Sequence, residues 1–358
     1  MKTYRCQVAA DKKLQKLFLR LPKKLYGADC PQDRKTEIQL LKGIHPLSGS
    51  FQVIPFVTTD EDGEVLCRCM LTYYPGEIRA YLGFFEAYYD LGAVKEMLRI
   101  VENRAILDGK KELIGPVDAS IYIGYRFKTD RFDKTYTGEP YNKPYYPELW
   151  EKFGFTVCDR YLSNRIRVVE QEDIDPRLSF LHERYERRGY RFLRADPREF
   201  DRYLGDIWQS MMELYSGFTG FQRLSREQFF ALFSDLKSVL NFDMVKLVYR
   251  EDKLRAFGIC LPNYGSLTRG KRTPWKLLQI LRLRRNPKEY VILYVGADPS
   301  APGLGGALAH EIRNSLYRNR CTSIGALIKE GNVTAAVYDA LYTEQFHYVL
   351  FTKSLINH

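Results

Sequence analysis

Most of the motifs that announce a particular enzyme class are missing from this chain. The 5 histidines form no HExxH or paired spacing, and no serine sits in a Gly-x-Ser-x-Gly elbow. Zinc-hydrolase and serine-hydrolase chemistry therefore lack the residues to carry them. His310 is read as a helix-face residue, and His347, between Phe346 and Tyr348, as packing. The 7 cysteines are an odd, scattered set. Cys67 and Cys69 flank Arg68 on a predicted strand and face one side of it, yet no second Cys or His pair lies near enough to complete a tetrahedral site. They are read as core residues, no metal is expected, and a reducing cytoplasm is the expected compartment. No apolar run approaches the roughly 18 residues that a membrane span requires. The opening MKTYRCQVAADKK lacks the apolar core of a secretory signal.

What is present is enough for two cores. A chain of 358 residues with 45% apolar content suits two α/β domains better than one. The formal charge of +11 draws anions, whether coenzyme phosphates, nucleic acid, acidic carrier proteins or membrane surfaces. In the basic run RYERRGYRFLRADPREFDR the arginines alternate with acids, the pattern of an ion-paired surface rather than of a nucleic-acid stripe.

Periodicity divides the chain into two similar series. MKTYRCQVA reads as a strand, and DKKLQKLFLRLPKKLY as a helix with Leu14, Leu17 and Leu21 on one face, interrupted at Pro22. FQVIPFVTTD and VLCRCMLTYY flank Asp62-Gly63 as a hairpin, and AYLGFFEAY is a further strand. A helix over 93–108 closes at Gly109, KELIGPV is a strand, PELWEKFGF a short helix ended by Gly154, and TVCDRYLSNRIRV a long strand. The second series begins with YRFLRAD, continues through a helix capped by Asp196 and one starting at Ser225, then strands at NFDMVKLVYRED, KLRAFGICLPN and VILYVGAD. Helix 304–319, a strand at CTSIGALI, a helix at VTAAVYDALY and a strand at HYVLFTKSL complete it. This is an internal duplication at the level of fold, with domains over 1–169 and 190–358 and a linker over 170–189, where Pro176 and an acidic cluster mark the break.

The run VILYVGADPSAPGLGGAL carries the chemistry. Its apolar strand breaks at Pro299 and meets Gly303, Gly305 and Gly306, which open a helix. Glycines without Cβ let a ligand approach the backbone, and the free amides of a first helical turn favour an anion. Each such contact contributes only about 0.3–1 kcal/mol at an exposed site, so several must act together. Ala307 and Leu308 stand where a Walker loop needs Lys and then Ser or Thr, and Leu308 fills the small third position of a dinucleotide fingerprint. The expected ligand has an anionic part and a longer tail.

This loop resembles the acetyl-coenzyme A loop of the GNAT N-acyltransferase superfamily, and the element order of both halves is similar to the GNAT topology. The first half is also similar to bacterial GNAT-like proteins with Gly-Pro after the fifth strand and a Pro-Tyr-Asn-x-Pro-Tyr-Tyr run before a helix ending in Gly-Phe. Here these are Gly115-Pro116 and EPYNKPYYPELWEKFGF. The resemblance spans essentially the whole chain. It implies an α/β (α+β layered) fold class with two tandem GNAT-like folds, each a mixed, mostly antiparallel central sheet flanked by helices. It also implies transfer of an acyl group from acetyl-CoA or another acyl-CoA, or from an acyl carrier protein, to a small-molecule amine. Carried over by position, Val295, Gly303, Leu304, Gly305, Gly306, Ala307 and Asn332 would hold the coenzyme. Tyr338 would protonate the leaving thiolate and Glu330 would help take the amine proton. The sequence departs from the family where Ser300 replaces Arg or Gln, where Pro302 lacks an N–H, and where Tyr338 falls one residue early. In the first half EAYYDLGAV, with the single glycine Gly92, stands in the place of the loop, so that half is expected to serve as scaffold or acceptor site. Two alternatives stay open: a Fem-type tandem transferase using aminoacyl-tRNA, which the positive charge would suit, and a binding protein that keeps the fold without the chemistry.

One further segment stands out. In TRGKRTPWKLLQILRLRRNPK a helix starts at Thr273-Pro274 and carries Trp275, Leu278 and Leu281 along one stripe with Lys and Arg clustered at both ends. Such a helix over 273–285 suits an anionic lipid surface or an acidic carrier protein, or else packs between domains with a solvated basic face.

Overall fold

The apolar runs of the first series become strands β1 (Arg5–Val8), β2 (Gln52–Thr59), β3 (Val65–Tyr73), β4 (Arg79–Ala87), β5 (Glu112–Gly115), β6 (Phe127–Lys128) and β7 (Thr156–Ile166) in a computed structural model, which describes residues 3–269, 273–331 and 341–356. Between them run helices α1 (Lys12–Tyr26), α2 (Arg34–Leu41), α3 (Leu91–Leu107) and α4 (Tyr146–Lys152). The second series gives helices α5 (Pro176–Arg187), α6 (Phe200–Leu214), α7 (Arg226–Phe233), α8 (Pro274–Arg285) and α9 (Leu304–Asn319). Its strands are β8 (Arg191–Arg194), β9 (Val245–Arg250), β10 (Lys253–Pro262), β11 (Glu289–Ala297), β12 (Thr322–Lys329) and β13 (Tyr342–Ser354). The helix expected at VTAAVYDALY falls on residues 332–340, outside the described residues.

All these strands form one 13-stranded sheet, in the order β1-β2-β3-β4-β5-β13-β7-β12-β11-β10-β9-β8, with β6 attached to β13. The pattern reads alike from both ends, since β4/β5 and β11/β12 are the parallel pairs. At its centre the halves exchange strands: β13 enters between β5 and β7, and β7 between β13 and β12. The two pair antiparallel from Tyr342↔Ile166 to Thr352↔Thr156. The sequence pattern leaves each half with its own last strand, because a strand's alternation fixes which face is buried but not which neighbour it joins.

Both faces of the sheet are covered. One core takes Phe18 of α1, Leu40 of α2, Phe200 and Ile207 of α6 and Phe229 of α7 together with Tyr161 and Tyr348 of the central strands, so it runs across both halves. On the other face α3 and α4 cover the first half through Val94, Met97 and Trp150. There α5 and α9 cover the second through Tyr185, Leu308 and Ile312.

Pro22 does not end α1, contrary to its reading from sequence. A proline inside a helix lacks the N–H that would bond the carbonyl four residues back, here that of Phe18. That carbonyl instead accepts Nη1 of Arg68 at 3.0 Å. Two nitrogens of Arg68 are held by Glu37 of α2, at 2.6 and 2.8 Å, so a buried ion pair between the sheet and α2 supplies the bond that the helix cannot.

Candidate active site

The site begins with an irregularity in β11. Ile259 of β10 faces Tyr294 and Cys260 faces Ile292, so Leu293 is an extra residue on β11. A bulge bends and overtwists its strand, and the parallel pairing of β11 with β12 stops at Ile292↔Gly325. Beyond that point the two strands part. Residues 293–297 and 326–329 then line a cleft of about 1660 Å³ that extends to Ser300, Gly303, Gly305 and Gly306. Val295 lies on this wall, and its carbonyl accepts the Tyr215 hydroxyl at 3.1 Å.

The α9 end of the cleft is an uncapped helix start. Gly303, at φ +92°, is the N-cap and offers no side chain. Leu304 N–H is taken by Ala301 O at 3.0 Å and Ala307 N–H by Gly303 O at 3.1 Å. The amides of Gly305 and Gly306 find no acceptor among the described residues. Of the five amides expected from sequence, then, Leu304 and Ala307 are engaged within the loop, and those of Gly303, Gly305 and Gly306 have no acceptor among the described residues. The three glycines also divide by role. A Cβ on Gly303 would lie 2.9 Å from Leu181 of α5, and one on Gly306 2.8 Å from the same side chain, whereas one on Gly305 meets only Ala297 at 3.8 Å. Gly303 and Gly306 make room for a helix, and Gly305 is the open position. Ser300 is exposed and folds back on Asp298, its N–H and Oγ on that carboxylate at 2.8 and 2.6 Å, with Arg255 on the same carboxylate at 2.6 Å.

The first half closes the equivalent space with its own chain. Its parallel pair also parts early, after Tyr81↔Ile114, but Val117 N–H then bonds Leu82 O at 2.9 Å and Phe84 N–H bonds Asp118 at 2.5 Å. A Cβ on Gly83 would fall 1.9 Å from Val117 O. At the start of α3 the Asp90 carboxylate accepts Ala93 N–H at 3.0 Å and the Tyr4 hydroxyl at 2.8 Å. An internal carboxylate thus takes the anion position that α9 leaves open, and Gly92 exists to admit the ring of Tyr4, 2.4 Å from its would-be Cβ.

Glu330 is exposed at the end of β12, its N–H on Arg160 O at 3.0 Å, and it is not among the residues lining the cleft. Its expected role as proton acceptor has no geometric support, because a strand-end acid facing water has nothing to hold it against the cleft. Asn332 and Tyr338 lie outside the described residues. Pattern alone missed a set of cleft residues between β5 and β7: Tyr125, Arg126, Tyr136 and Glu139. They belong to an irregular segment, where no periodicity signals which side chains turn inward.

The cleft continues into the first half, where Glu86 and Asp118 line it. Burial pushes Glu86 up to about 7 against the pull of Arg68, and the Tyr146 hydroxyl donates to it at 2.7 Å. Burial likewise lifts Asp118 to about 6. A carboxyl whose folded value lies above its unfolded one stabilises fully below the unfolded value and loses that stabilisation as pH rises through the folded one. For Glu86 this window runs from 4.5 to about 7. Glu86→Gln, which still accepts from Tyr146, is expected to be more stable than wild type at pH 8 by up to about 3 kcal/mol and equal to it near pH 4. Urea unfolding across that range checks it; parallel curves for the two proteins would refute the assignment.

No protein-family model matches the chain, and no curated protein matches its sequence. Solved structures do match. A tandem GNAT protein from the clavulanic acid biosynthesis pathway is 12% identical, with 100% of each chain covered and a TM-score of 0.50. A GCN5-related N-acetyltransferase from Kribbella flavida is 10% identical over 99% of this chain and 71% of its own, at 0.50. A conserved protein of Enterococcus faecalis V583, described as a probable N-acyltransferase, is 9% identical over 99% and 73%, at 0.51. At such identities the likeness concerns the fold. The chain has a tandem GNAT fold, mixed α/β, with one large and mostly antiparallel sheet flanked by helices.

Proposed function

We propose that this tandem GNAT fold moves an acyl group from acyl-CoA to an amine, with the donor held by the second half. The observation that carries the reading is that strands β11 and β12 part in front of an uncapped helix start, within one cleft. The residues present fit such a donor. The free amides of Gly305 and Gly306 suit a diphosphate, and the freed edge of β11 offers backbone groups to an amide-bearing chain such as pantetheine. In the reaction the amine nitrogen bonds the thioester carbon, the C–S bond breaks, the amine gives up a proton and the thiolate takes one. Holding a free amine beside a thioester supplies much of the rate by itself. Within this reading Tyr338 remains the proton donor to sulfur and Asn332 a pantetheine contact, while the first half, whose own crevice is filled, shapes the acceptor end.

Calorimetric titration with acetyl-CoA, followed by thiol release in the presence of amines, tests it. Saturable binding and turnover are expected. Binding without turnover for any amine would favour a protein that has lost the chemistry, and retention of aminoacyl-tRNA without acetyl-CoA binding would favour the Fem-type alternative.

A peripheral contact with an anionic membrane belongs to the same proposal. Helix α8 buries no residue. Its outward side carries Trp275 at 69% exposure and Leu278 at 59%, with Leu277 and Leu281 beside them. The other side is tied down through Lys276 to Arg269 O and Arg284 to Leu240 O, at 2.7 and 2.9 Å. Apolar residues facing outward among Arg282 and Arg285, with no acid in the helix, match an anionic interface. In flotation with phosphatidylglycerol vesicles the protein is expected to rise with the lipid, and the double variant Leu278→Glu, Leu281→Glu to stay at the bottom. Equal behaviour of the two would discard the contact.

A further inference from the structure

The segment between β5 and β6 places a guanidinium in the cleft without a counter-charge among the described residues. Arg126 is 5% exposed and lines the cleft. Its Cζ lies 3.7 Å from the ring centre of Tyr125 and 4.0 Å from that of Tyr161. Nη1 donates to Leu327 O at 3.3 Å, and Nε is buried with no acceptor. No carboxylate pairs with it among the described residues. Two other buried cations behave differently, Arg68 being matched by Glu37 and Lys128 by Glu139. Burial draws Arg126 down to about 10, still charged at neutral pH. A buried charge left unpaired is strongly unfavourable, and an arginine in a protein cannot shed its proton to escape. The arrangement makes physical sense if the missing anion arrives with a ligand.

Its position says which ligand. Leu327 comes two residues after Gly325, the last residue of β12 to pair with β11. Arg126 therefore stands where the two strands part and near Tyr294, which also lines the cleft. Its Nε–Nη2 edge has no partner among the described residues, and such an edge matches a planar carboxylate with two parallel bonds. The two tyrosine rings, set at 89° to each other, hold the guanidinium from two directions, so little side-chain freedom is lost on binding.

We propose that Arg126 anchors a carboxylate of the acyl acceptor, so that the acceptor is an amine carrying a carboxylate, as an amino acid does. This rests on the acyl-transfer reading for the identity of the other substrate; the carboxylate site itself does not. Three amino acids are compared with their decarboxylated counterparts: L-tyrosine with tyramine, L-histidine with histamine, and L-arginine with agmatine. Each is assayed with acetyl-CoA for thiol release and, independently of turnover, for thermal stabilisation with and without acetyl-CoA.

The wild-type protein is expected to favour at least one amino acid over its amine by tenfold or more in kcat/KM, and to be stabilised by that amino acid alone. Arg126→Met should erase both effects while leaving acetyl-CoA affinity unchanged, and should be no less stable than wild type, since it removes an unpaired buried charge. Arg126→Gln serves as a second variant if the first misfolds. Should no acceptor turn over, the thermal comparison still decides, because it needs no reaction. Equal stabilisation of wild type and variant, or none by any of the three amino acids, overturns the proposal. So does an Arg126-dependent preference for succinyl-CoA over acetyl-CoA, which would place the carboxylate on the donor.

Discussion

The variant Gly305→Glu is expected to fold as the wild type does and to lose the proposed acetyl-CoA affinity by about 100-fold, which is about 2.7 kcal/mol. The case for intact folding is geometric. Gly305 has an ordinary helical φ, and a Cβ there meets nothing closer than Ala297 at 3.8 Å. A glutamate in the first turn of a helix is also favourable to the helix itself, by about 0.3–1 kcal/mol. That same carboxylate sits among the free amides that would receive the diphosphate, so it competes for them and repels the ligand, and like charges brought together cost several kcal/mol. Gly306→Glu is a poor substitute because it presses on Leu181 and Leu178, at 2.8 and 3.3 Å, and would confuse lost binding with lost packing. Thermal shift reads both properties at once: an apo midpoint at or above wild type, and no upward movement with acetyl-CoA at a concentration that stabilises wild type. Undiminished stabilisation of the variant would remove these amides from the proposed donor site.

The second large effect is expected at the seam between the halves. Lys128 and Glu139, both with fully buried side chains, pair at 2.6 Å. Glu139 also accepts the Tyr348 hydroxyl at 2.7 Å, Tyr348 meets Tyr136 at 2.9 Å, and Tyr136 meets Ser163 at 2.8 Å. Ser163 Oγ in turn accepts Leu327 N–H at 2.8 Å. The chain of bonds thus links the segment after β6, the exchanged strands β7 and β13, and the wall of the cleft. Glu139→Ala leaves the Lys128 ammonium buried without its carboxylate and is expected to cost about 3–5 kcal/mol. Burial already holds Lys128 below its ordinary value. Losing Glu139 lowers it further, so the deficit should shrink as pH rises towards the unfolded value and grow as pH falls. The double variant Lys128→Met, Glu139→Leu removes both charges and is expected to recover most of the loss, though Tyr348 gives up its acceptor. Urea unfolding midpoints at pH 7 and 9 measure all three. A single variant as stable as wild type would show that the pair does not hold the seam.

Length, apolar content and the two matching series of elements already pointed to a layered α/β protein of repeated plan, since burial of one face imposes a period of 2 on strands and about 3.6 on helices. The uncapped glycine turn before α9 was equally legible, because positive φ and bare amides are written into Gly303 and Gly305 themselves. Several features were not. Exchange of β7 and β13 depends on pairing between residues far apart in sequence, and alternation is silent about partners. Passage of α1 through Pro22 needed Arg68, a distant strand residue, to supply the missing bond. The division of the glycines between packing on Leu181 and facing the cleft is a property of where α5 lies. Arg126 shows the same limit most clearly: in the sequence it is one of many arginines, and only the parted strands reveal it as a buried charge with no paired carboxylate among the described residues. Local chemistry fixed the elements and the anion-binding turn, whereas contacts between remote segments decided which side chains share the cleft.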